Sequence, residues 1–420
     1  MRIILSGLIL CLSAGLAAQA PAPTSPPASA GTFDASRAGV IDRGLQRYID
    51  TNRVPGIVAL VLQDGQVVYE KAFGWADKEA DRRMTTDTIF RIASQTKAIT
   101  SAAIMQLVED GSLTLATRAG TFIPSFARTT VAVANKGAVT QVPARRPITV
   151  RDLLTHTAGI SYGTDASVAA MYEEKGLGPA AGFGWYTADK TEPVCDTMER
   201  LGTLPFVQQP GAAWVYGYNT DVLGCIVEKA SGTPLDAYIR DRITVPLGMK
   251  DTQFFLPAAE KDRLAAVYSS GPDGTFVRAP EGPKGQGHYV EGPRRNFAGG
   301  AGLLSTARDY ARFLETMRRG GSIEGTRVLS PLSVRLMSTN QVGTLHSSTG
   351  LGFGLGFQTV DRFGANGMSA EGTFGWGGAY GSAYRVDPES RLVMVLMIQL
   401  IPNSTDLGAV FPSLVYQALR

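Results

Sequence analysis

Ser94 and Lys97 are the residues whose types and spacing most directly suggest chemistry. They open an apolar run, 98–108, whose periodicity predicts a helix with one buried face. Residues three apart are neighbours on a helix, so the Lys97 amine can reach the Ser94 hydroxyl. A serine hydroxyl becomes a nucleophile when a base takes its proton, and a buried lysine can be that base. The helix start also presents free backbone N–H groups where an oxyanion would form.

The Ser94-x-x-Lys97 pattern is not specific alone, because a chain with this much serine and lysine shows it about once by chance. Taken alone, it more often describes a helix-capping serine and a surface lysine. A rival nucleophile is Ser161, since Gly159-Ile160-Ser161-Tyr162-Gly163 matches the Gly-x-Ser-x-Gly elbow of α/β-hydrolases. That elbow needs a buried strand before the serine, whereas 152–156 favours a helix running into a loop. Ser94 is therefore the preferred nucleophile.

Two further segments carry groups that could serve the same reaction. The first, 210–219, is a turn followed by aromatic residues, and Tyr216 within it could relay a proton to the leaving group. Aromatic residues before a helix are by default packing residues, so that alternative stays open. The second, Gly375-Trp376-Gly377-Gly378-Ala379, opens a predicted strand, and its glycines would let an acyl group come close.

The elements around these segments predict an α/β fold of the α+β type. Two β-branched and aromatic runs, 57–62 and 67–73, are separated by Gln63-Asp64-Gly65-Gln66, which is typical of a hairpin. The same pattern returns at 379–386 and 392–398, and strands at both ends of a chain can share one antiparallel sheet. The predicted helices flanking that sheet are 35–51 and 408–419.

The middle of the chain, 113–296, has a different character. It alternates helical stretches such as 150–155 and 220–231 with long loops rich in glycine, proline and threonine, which predicts an inserted, mostly helical subdomain. Thr149-Val150-Arg151-Asp152 resembles a capping box at the start of one of these helices. The sheet domain is accordingly predicted to comprise 34–112 and 297–420.

The N-terminus predicts an export signal at 1–20. Arg2 is followed by an apolar stretch and by Ala18-Gln19-Ala20, a small-x-small cleavage pattern. The stretch is too short to span the ~30 Å of membrane hydrocarbon, and the residues before Cys11 disfavour lipid attachment. Residues 21–33 are rich in proline, alanine and serine and predict a flexible linker. We therefore expect a periplasmic or secreted protein.

Composition excludes several classes of protein. At 420 residues and 44% hydrophobic, the chain can bury a large core and is not disordered. Its 40 basic and 37 acidic residues are interspersed, which argues against nucleic acid as a partner. His156, His288 and His346 lack the paired spacing of a zinc site, so no metal or other cofactor is expected. Cys195 and Cys225 could form one bridge or stay buried thiols, and the apolar run around Cys225 favours free thiols.

Together, these segments resemble the serine β-lactamase and penicillin-binding-protein superfamily. The similarity points to the class C β-lactamase-like branch that includes the family VIII carboxylesterases, and it spans nearly all of the mature chain. It rests on five matches in order, namely Ser94-x-x-Lys97, Leu153-Leu154-Thr155-His156-Thr157-Ala158-Gly159, Trp214-Val215-Tyr216 followed by Asp221-Val222-Leu223-Gly224, Gly299-Gly300-Ala301-Gly302-Leu303-Leu304-Ser305-Thr306, and Gly375-Trp376-Gly377-Gly378.

The resemblance implies a β-lactamase/transpeptidase-like fold and a role for each matched residue. Ser94 would be the acylated nucleophile, Lys97 its proton partner and Tyr216 the general acid/base, while His156 would have a structural role. The backbone N–H groups of Ser94 and Ala379 would form the oxyanion hole. The substrate-binding residues implied in the same way are Trp376, Gly377, Gly378 and Tyr218.

Two departures from the family pattern favour neutral acyl substrates. Class C β-lactamases carry Tyr-x-Asn, whereas the third position here is Tyr218 and the asparagine follows at Asn219. They also carry Lys-Thr-Gly where this chain has Trp376-Gly377-Gly378, so an apolar wall replaces a cation that would hold a substrate carboxylate. The sequence therefore predicts an exported serine hydrolase, a carboxylesterase acting on short or aromatic acyl esters.

Two other functions are compatible with the same residues. The Ser-Lys-Tyr set could cleave amides, as in a β-lactamase, a D,D-peptidase or another peptide hydrolase. The irregular loop from Tyr216 to Asn219 could instead misplace the relay and leave a binding or sensor protein. An ester, lactam or peptide substrate is expected for the enzyme, with neither nucleic acid nor membrane as partner after signal removal. If Lys97 is the base, kcat/KM rises with a midpoint well below the ~10.4 of a free lysine.

Overall fold

The computed structural model describes residues 31–135, 138–178, 190–271, 276–280 and 288–420. The predicted export signal, 1–20, and most of the predicted linker, 21–33, lie outside these ranges. The helices are α1 Ala38–Asp50, α2 Thr96–Glu109, α3 Val150–Leu154, α4 Ala169–Glu174, α5 Val194–Gly202, α6 Asn219–Ser231, α7 Leu235–Ile239, α8 Ala307–Arg318, α9 Pro331–Ser338 and α10 Leu407–Tyr416. None of these described helices is long and apolar enough to cross a membrane.

The strands form one large sheet and several small ones. They are β1 Gly56–Gln63, β2 Gln66–Asp77, β3 Arg82–Arg83, β4 Phe90–Arg91, β5 Thr130–Asn135, β6 Ala138–Pro143, β7 Pro205–Phe206, β8 Tyr268–Ser270, β9 Phe276–Arg278, β10 Leu304–Ser305, β11 Ser322–Ile323, β12 Thr326–Arg327, β13 Leu351–Phe353, β14 Gln358–Val360, β15 Phe374–Gly377, β16 Ala383–Asp387 and β17 Leu392–Met397. The large sheet has eight antiparallel strands in the order β13-β14-β15-β16-β17-β1-β2-β3.

Strands from the two ends of the chain pair at the centre of this sheet. β1 lies between β2 and β17, with Val58 opposite Met397. The β1–β2 turn consists of Asp64 and Gly65, both at positive φ, as a tight two-residue hairpin requires. The predicted fold, an antiparallel sheet that joins both ends of the chain, is confirmed.

The sheet is covered by helices on both faces. Every residue of β1 is buried, and alternate side chains point to opposite faces because the strand period is two. Val58 and Leu60 pack in the core that contains α2 and α8, whereas Ile57 and Ala59 pack against α1 and α10. α2 is buried from Thr96 to Leu107, so it is a central helix with core on all sides.

The predicted helical subdomain, 113–296, contains more strand than expected. It holds α3 to α7, and it also holds a three-stranded sheet in which β5 pairs with both β6 and β7. The predicted capping box is present, because the Thr149 side chain accepts from the Asp152 backbone and the Asp152 side chain accepts from the Thr149 backbone.

Three local expectations are corrected. Ser94 is not on the helix but in the 3₁₀ turn Ala93–Gln95 that precedes α2. The predicted strand at 379–386 begins later, because Gly378 N–H donates to the Ser382 carbonyl and closes a turn between β15 and β16. The prediction of free thiols is wrong. Packing of α5 on α6 brings the Cα atoms of Cys195 and Cys225 to 4.9 Å, and the two residues form a disulfide.

Candidate active site

Ser94 lies at the junction between β4 and α2 and is 8% exposed. The residue before it, Ala93, has a φ of +44°, in the left-handed region that costs a residue with a Cβ about 1–2 kcal/mol. Such strain is retained when the surrounding structure holds the backbone in place, and it is frequent at functional positions. The backbone therefore turns sharply just where the candidate nucleophile is presented.

Lys97 connects Ser94 to two other parts of the chain. Its amine, 2% exposed, donates to Ser94 Oγ at 3.2 Å, to the Tyr162 hydroxyl at 3.0 Å and to the Gly300 carbonyl at 2.7 Å. The amine nitrogen thus meets three oxygens, which a protonated lysine satisfies with three N–H donors and a neutral one with two donors and its lone pair. The structure thus brings Ser94 and Lys97 together, as the spacing of three residues predicts.

Tyr216 lies against the same amine in a different way. Lys97 Nζ is 4.8 Å from the centroid of the Tyr216 ring, within the range of a cation–π contact. The Tyr216 hydroxyl accepts a hydrogen bond from Trp376 Nε1 at 3.1 Å. The predicted relay residue and the predicted wall residue therefore contact each other beside Lys97.

The end of β15 approaches the backbone that carries Ser94. A Cβ on Gly378 would lie 2.6 Å from the Ile92 carbonyl oxygen and 3.7 Å from the Ala93 Cβ, so glycine is required for this approach. Ala379 follows in the turn between β15 and β16. The two N–H groups implied for the oxyanion hole thus belong to backbone segments that pack against each other.

Tyr218 and Asn219 contact the loops beside the nucleophile. Tyr218 is buried, its hydroxyl donates to the Leu177 carbonyl at 2.9 Å, and its ring packs on Tyr162 at 4.9 Å between centroids. Asn219 Nδ2 lies 3.0 Å from His156 Nδ1 and also donates to the Ile160 carbonyl. These contacts support the loops that carry Tyr162 and Tyr216.

A wall of aromatic rings encloses this group. Tyr216 stacks on Trp214, and Trp376 packs on Phe353. His156 is buried among the same rings, and desolvation, with the nearby Lys97 charge, holds the pKa of its imidazole well below its usual range. His156 is therefore a neutral packing and hydrogen-bonding residue here.

Sequence reasoning missed Tyr162, the Gly300 carbonyl and Asp221. Tyr162 lies inside the segment that was considered for its serine, and Gly300 lies in a matched glycine run, so each had a signal that was assigned to something else. Ser161 is buried, with its hydroxyl accepting from Gly163 N–H at 3.1 Å. The residues before it, 155–160, are turn and loop rather than strand, so the elbow context is missing.

Two other features of the described residues lie outside this group. No set of three or more histidine, cysteine, aspartate or glutamate side chains among them is arranged to hold a metal ion. A cavity of about 540 Å³ is lined by Phe254, Phe255 and Phe297, and neither Ser94 nor Lys97 contributes to it.

Comparison with known proteins identifies the family. Residues 41–409 match the family model described as Beta-lactamase. The chain belongs to the beta-lactamase family. This confirms the predicted resemblance, and members of this family include serine hydrolases.

Individual members of the family align with this chain over most of its length. It is 35% identical over 385 residues to Protein Rv1367c of Mycobacterium tuberculosis, covering 87% of this chain and 91% of that protein. It is 31% identical over 379 residues to esterase EstB of Burkholderia gladioli, covering 86% and 90%. The solved structure of EstCE1, a hydrolase with promiscuous acyltransferase activity, superposes with a TM-score of 0.74 at 27% identity, covering 91% of this chain and 98% of that one.

Proposed function

We propose that this protein is an exported carboxylesterase that cleaves neutral esters of short or aromatic acids through an acyl-enzyme. The observation that carries the proposal is the buried Lys97 amine, 3.2 Å from Ser94 Oγ, enclosed by aromatic rings. EstB of Burkholderia gladioli is an esterase, which favours ester substrates for a chain that is 31% identical to it over 379 residues.

Each residue near Ser94 has a part in the proposed reaction. Ser94 Oγ attacks the ester carbonyl carbon while Lys97 takes the hydroxyl proton. The N–H groups of Ser94 and Ala379 donate to the oxyanion that forms. The Tyr216 hydroxyl, beside the amine, gives its proton to the departing alkoxide, which leaves as an alcohol, and takes back the proton that Lys97 received from Ser94. Water then repeats the sequence on the acyl-serine and releases the acid.

The character of the wall favours a neutral acyl group. Trp214, Tyr216, Phe353 and Trp376 present ring faces and edges to one another around the site. A substrate carboxylate would lose its hydration against these rings, and that loss is costly without a paired cation. Apolar and aromatic acyl groups gain from the same burial.

Burst kinetics and labelling test the proposal. With a p-nitrophenyl ester we expect a burst of nitrophenol, an acyl adduct on Ser94 detected by mass spectrometry, and loss of most turnover in Ser94→Ala. Ser161→Ala is the matched control and is expected to keep at least half of the activity. Normal turnover in Ser94→Ala, or an adduct on any other side chain, contradicts the proposal.

The amide alternative is separated by comparing substrates. We expect kcat/KM for p-nitrophenyl butyrate to exceed that for nitrocefin and for a D-Ala-D-Ala peptide. An amide substrate with the largest kcat/KM would instead identify a β-lactamase or a peptidase. Stoichiometric labelling of Ser94 without multiple turnover would identify a binding protein.

Export is part of the proposal. The N-terminal pattern at 1–20 and the disulfide between Cys195 and Cys225 support it, because disulfides persist in oxidising compartments. Expression of the full chain in a bacterial host should give periplasmic or medium esterase activity, with the new N-terminus near Pro21. Activity confined to the cytoplasm with Met1 retained would contradict this.

A further inference from the structure

Asp221 is buried in the first turn of α6 and contacts Gly300, whose carbonyl bonds to the Lys97 amine. Its Oδ1 accepts from the Gly300 N–H at 3.1 Å, and the carbonyl of the same glycine accepts from Lys97 Nζ at 2.7 Å. A single residue therefore joins the buried carboxylate to the buried amine.

The close approach of this segment to α6 depends on its two glycines. A Cβ on Gly300 would lie 2.3 Å from Asp221 Oδ2, and a Cβ on Gly299 would lie 2.5 Å from the Thr220 carbonyl oxygen. The Gly299 clash could not be relieved by a small shift, because the Thr220 carbonyl is backbone at the start of α6, whereas the Gly300 clash would displace the Asp221 carboxylate. The Gly299-Gly300 pair thus explains how the carbonyl reaches Lys97.

We propose that Asp221 is a positioning residue for Lys97, because its carboxylate fixes the Gly300 carbonyl on the amine and supplies a buried counter-charge to it. The inference rests on the proposed function, in which Lys97 exchanges a proton with Ser94. The carboxylate of Asp221 bonds to Gly300 rather than to Ser94, so it acts through Lys97.

The charges around Asp221 support this pairing. Burial raises the pKa of the Asp221 carboxyl to about 6, against the Lys97 charge and the Gly300 N–H, which both lower it. Four helices pack on α6. The charged groups on these helices include Lys97 on α2 and Asp236 on α7. They also include Asp152 on α3, which is paired with Arg146, and Arg200 on α5, which is paired with Glu192. Among these groups, it is the charge of Lys97 that lowers the pKa of the Asp221 carboxyl.

This arrangement links the charge of Asp221 to the pH dependence that we expect of the reaction. An ionised carboxylate close to an amine favours the protonated amine, typically by one to three pH units in buried pairs. Above about pH 6 the Asp221 carboxyl is mostly ionised, so it then places a negative charge beside the Gly300 segment that contacts Lys97.

The test compares the pH dependence of kcat/KM for wild type and Asp221→Asn with p-nitrophenyl butyrate from pH 5 to 10. In Asp221→Asn we expect the midpoint of the limb that rises with pH to shift to lower pH by about one unit or more. We also expect kcat at the plateau to fall about tenfold, because the Gly300 carbonyl is held less firmly. A midpoint of this limb that stays within about 0.3 pH unit of the wild-type midpoint overturns the inference.

Asp309→Asn is the matched control. Burial also raises the pKa of the Asp309 carboxyl to about 6, but it accepts hydrogen bonds from Asp251 and Thr252 rather than from the Lys97 segment. Its pH profile should coincide with that of the wild type. A shift in this variant equal to that of Asp221→Asn would show that buried carboxylates act on the profile non-specifically, and would overturn the inference.

A second variant keeps the experiment decisive if Asp221→Asn does not fold. Asp221→Glu keeps the charge but lengthens the side chain against Gly300, so we expect a lower kcat with the limb near its wild-type pH. An unchanged kcat overturns the positioning role. Ser94→Ala separates failure of this inference from failure of the proposed function. If that variant is inactive while both Asp221 variants match the wild type, only this inference fails.

Discussion

Among single residues, two phenols lie beside Lys97 and contact it differently. The Tyr162 hydroxyl accepts a hydrogen bond from the amine, whereas Tyr216 offers its ring to the amine and its hydroxyl to Trp376. A hydroxyl that is already bonded to the amine helps to hold it in place. A hydroxyl that is bonded only through an indole N–H is free to exchange a proton with a leaving group.

These contacts predict different effects for the two phenylalanine substitutions. Tyr216→Phe should lower kcat by about 100-fold or more with little change in KM, because general acid–base groups contribute on that scale. Tyr162→Phe should lower kcat by about tenfold, because Lys97 keeps two of its three acceptors. Steady-state kinetics with a p-nitrophenyl ester measures both. Tyr48→Phe on α1, whose hydroxyl donates to Asp406 on the other face of the sheet, is the control, expected within about twofold of the wild type. A larger loss in Tyr162→Phe than in Tyr216→Phe would exchange their roles.

Asp221 also has a consequence for stability. Its pKa is raised from 3.8 to about 6 in the folded protein, so the folded state binds its proton more tightly than the unfolded state. The stability that this provides is complete below about pH 4 and is lost as the pH rises through about 6. At pH 8 the buried charge costs about 2 to 3 kcal/mol.

Asp221→Asn should therefore be more stable than the wild type at pH 8, by about 2 kcal/mol, since the amide carries no charge. The difference should vanish below pH 4, where the wild-type carboxyl is neutral in both states. Urea unfolding at the two pH values measures it. A less stable variant at pH 8 would mean that the Gly300 hydrogen bond outweighs desolvation. An Asp221→Asn variant that is more stable but less active is the result expected if Asp221 is retained for function rather than for stability.

Among the elements, the disulfide ties α5 to α6, whose first turn carries Asn219 and Asp221. Cys195 and Cys225 are 30 residues apart, and closing a loop of that length in the unfolded chain corresponds to about 3 to 4 kcal/mol. Cys195→Ser with Cys225→Ser should lower the free energy of unfolding by that order while leaving kcat at 25 °C within a few fold. Denaturant curves with and without dithiothreitol check this in the wild type. Unchanged curves after proven reduction would contradict it.

How far the sequence predicts these elements depends on whether the signal is local. The β1–β2 hairpin was predictable because Asp64 and Gly65 suit a tight turn, and α6 because of its periodicity. The approach of Gly300 to Lys97 was not, because it joins residues 203 positions apart through a backbone carbonyl. Tyr162 was missed for the same reason, since nothing local distinguishes a ligand of Lys97 from a packing tyrosine.

In the molecule as a whole, the candidate site exists only where distant segments meet. Ser94 and Lys97 come from the first quarter of the chain, Tyr162 and Tyr216 from the middle, and Trp376 from the last strands of the sheet. Pairing of β1 with β17 holds the two ends together, and α2 is buried between the sheet and α6. We therefore expect substrate preference to be set where the last strands reach the first helix after β4.

Trp376 is the position at which this preference can be tested. Trp376→Lys places a cation where the class C pattern has one, and a lysine can pair with a substrate carboxylate but removes aromatic contact area. We expect kcat/KM for p-nitrophenyl butyrate to fall about tenfold or more, while the ratio of nitrocefin to butyrate rises about tenfold, because nitrocefin carries a carboxylate. Trp376→Phe is the matched control. It keeps the apolar wall but lacks the N–H that donates to Tyr216, so it should lower kcat and leave the ratio unchanged. An equal loss for both substrates in Trp376→Lys would mean that the tryptophan acts only by holding Tyr216.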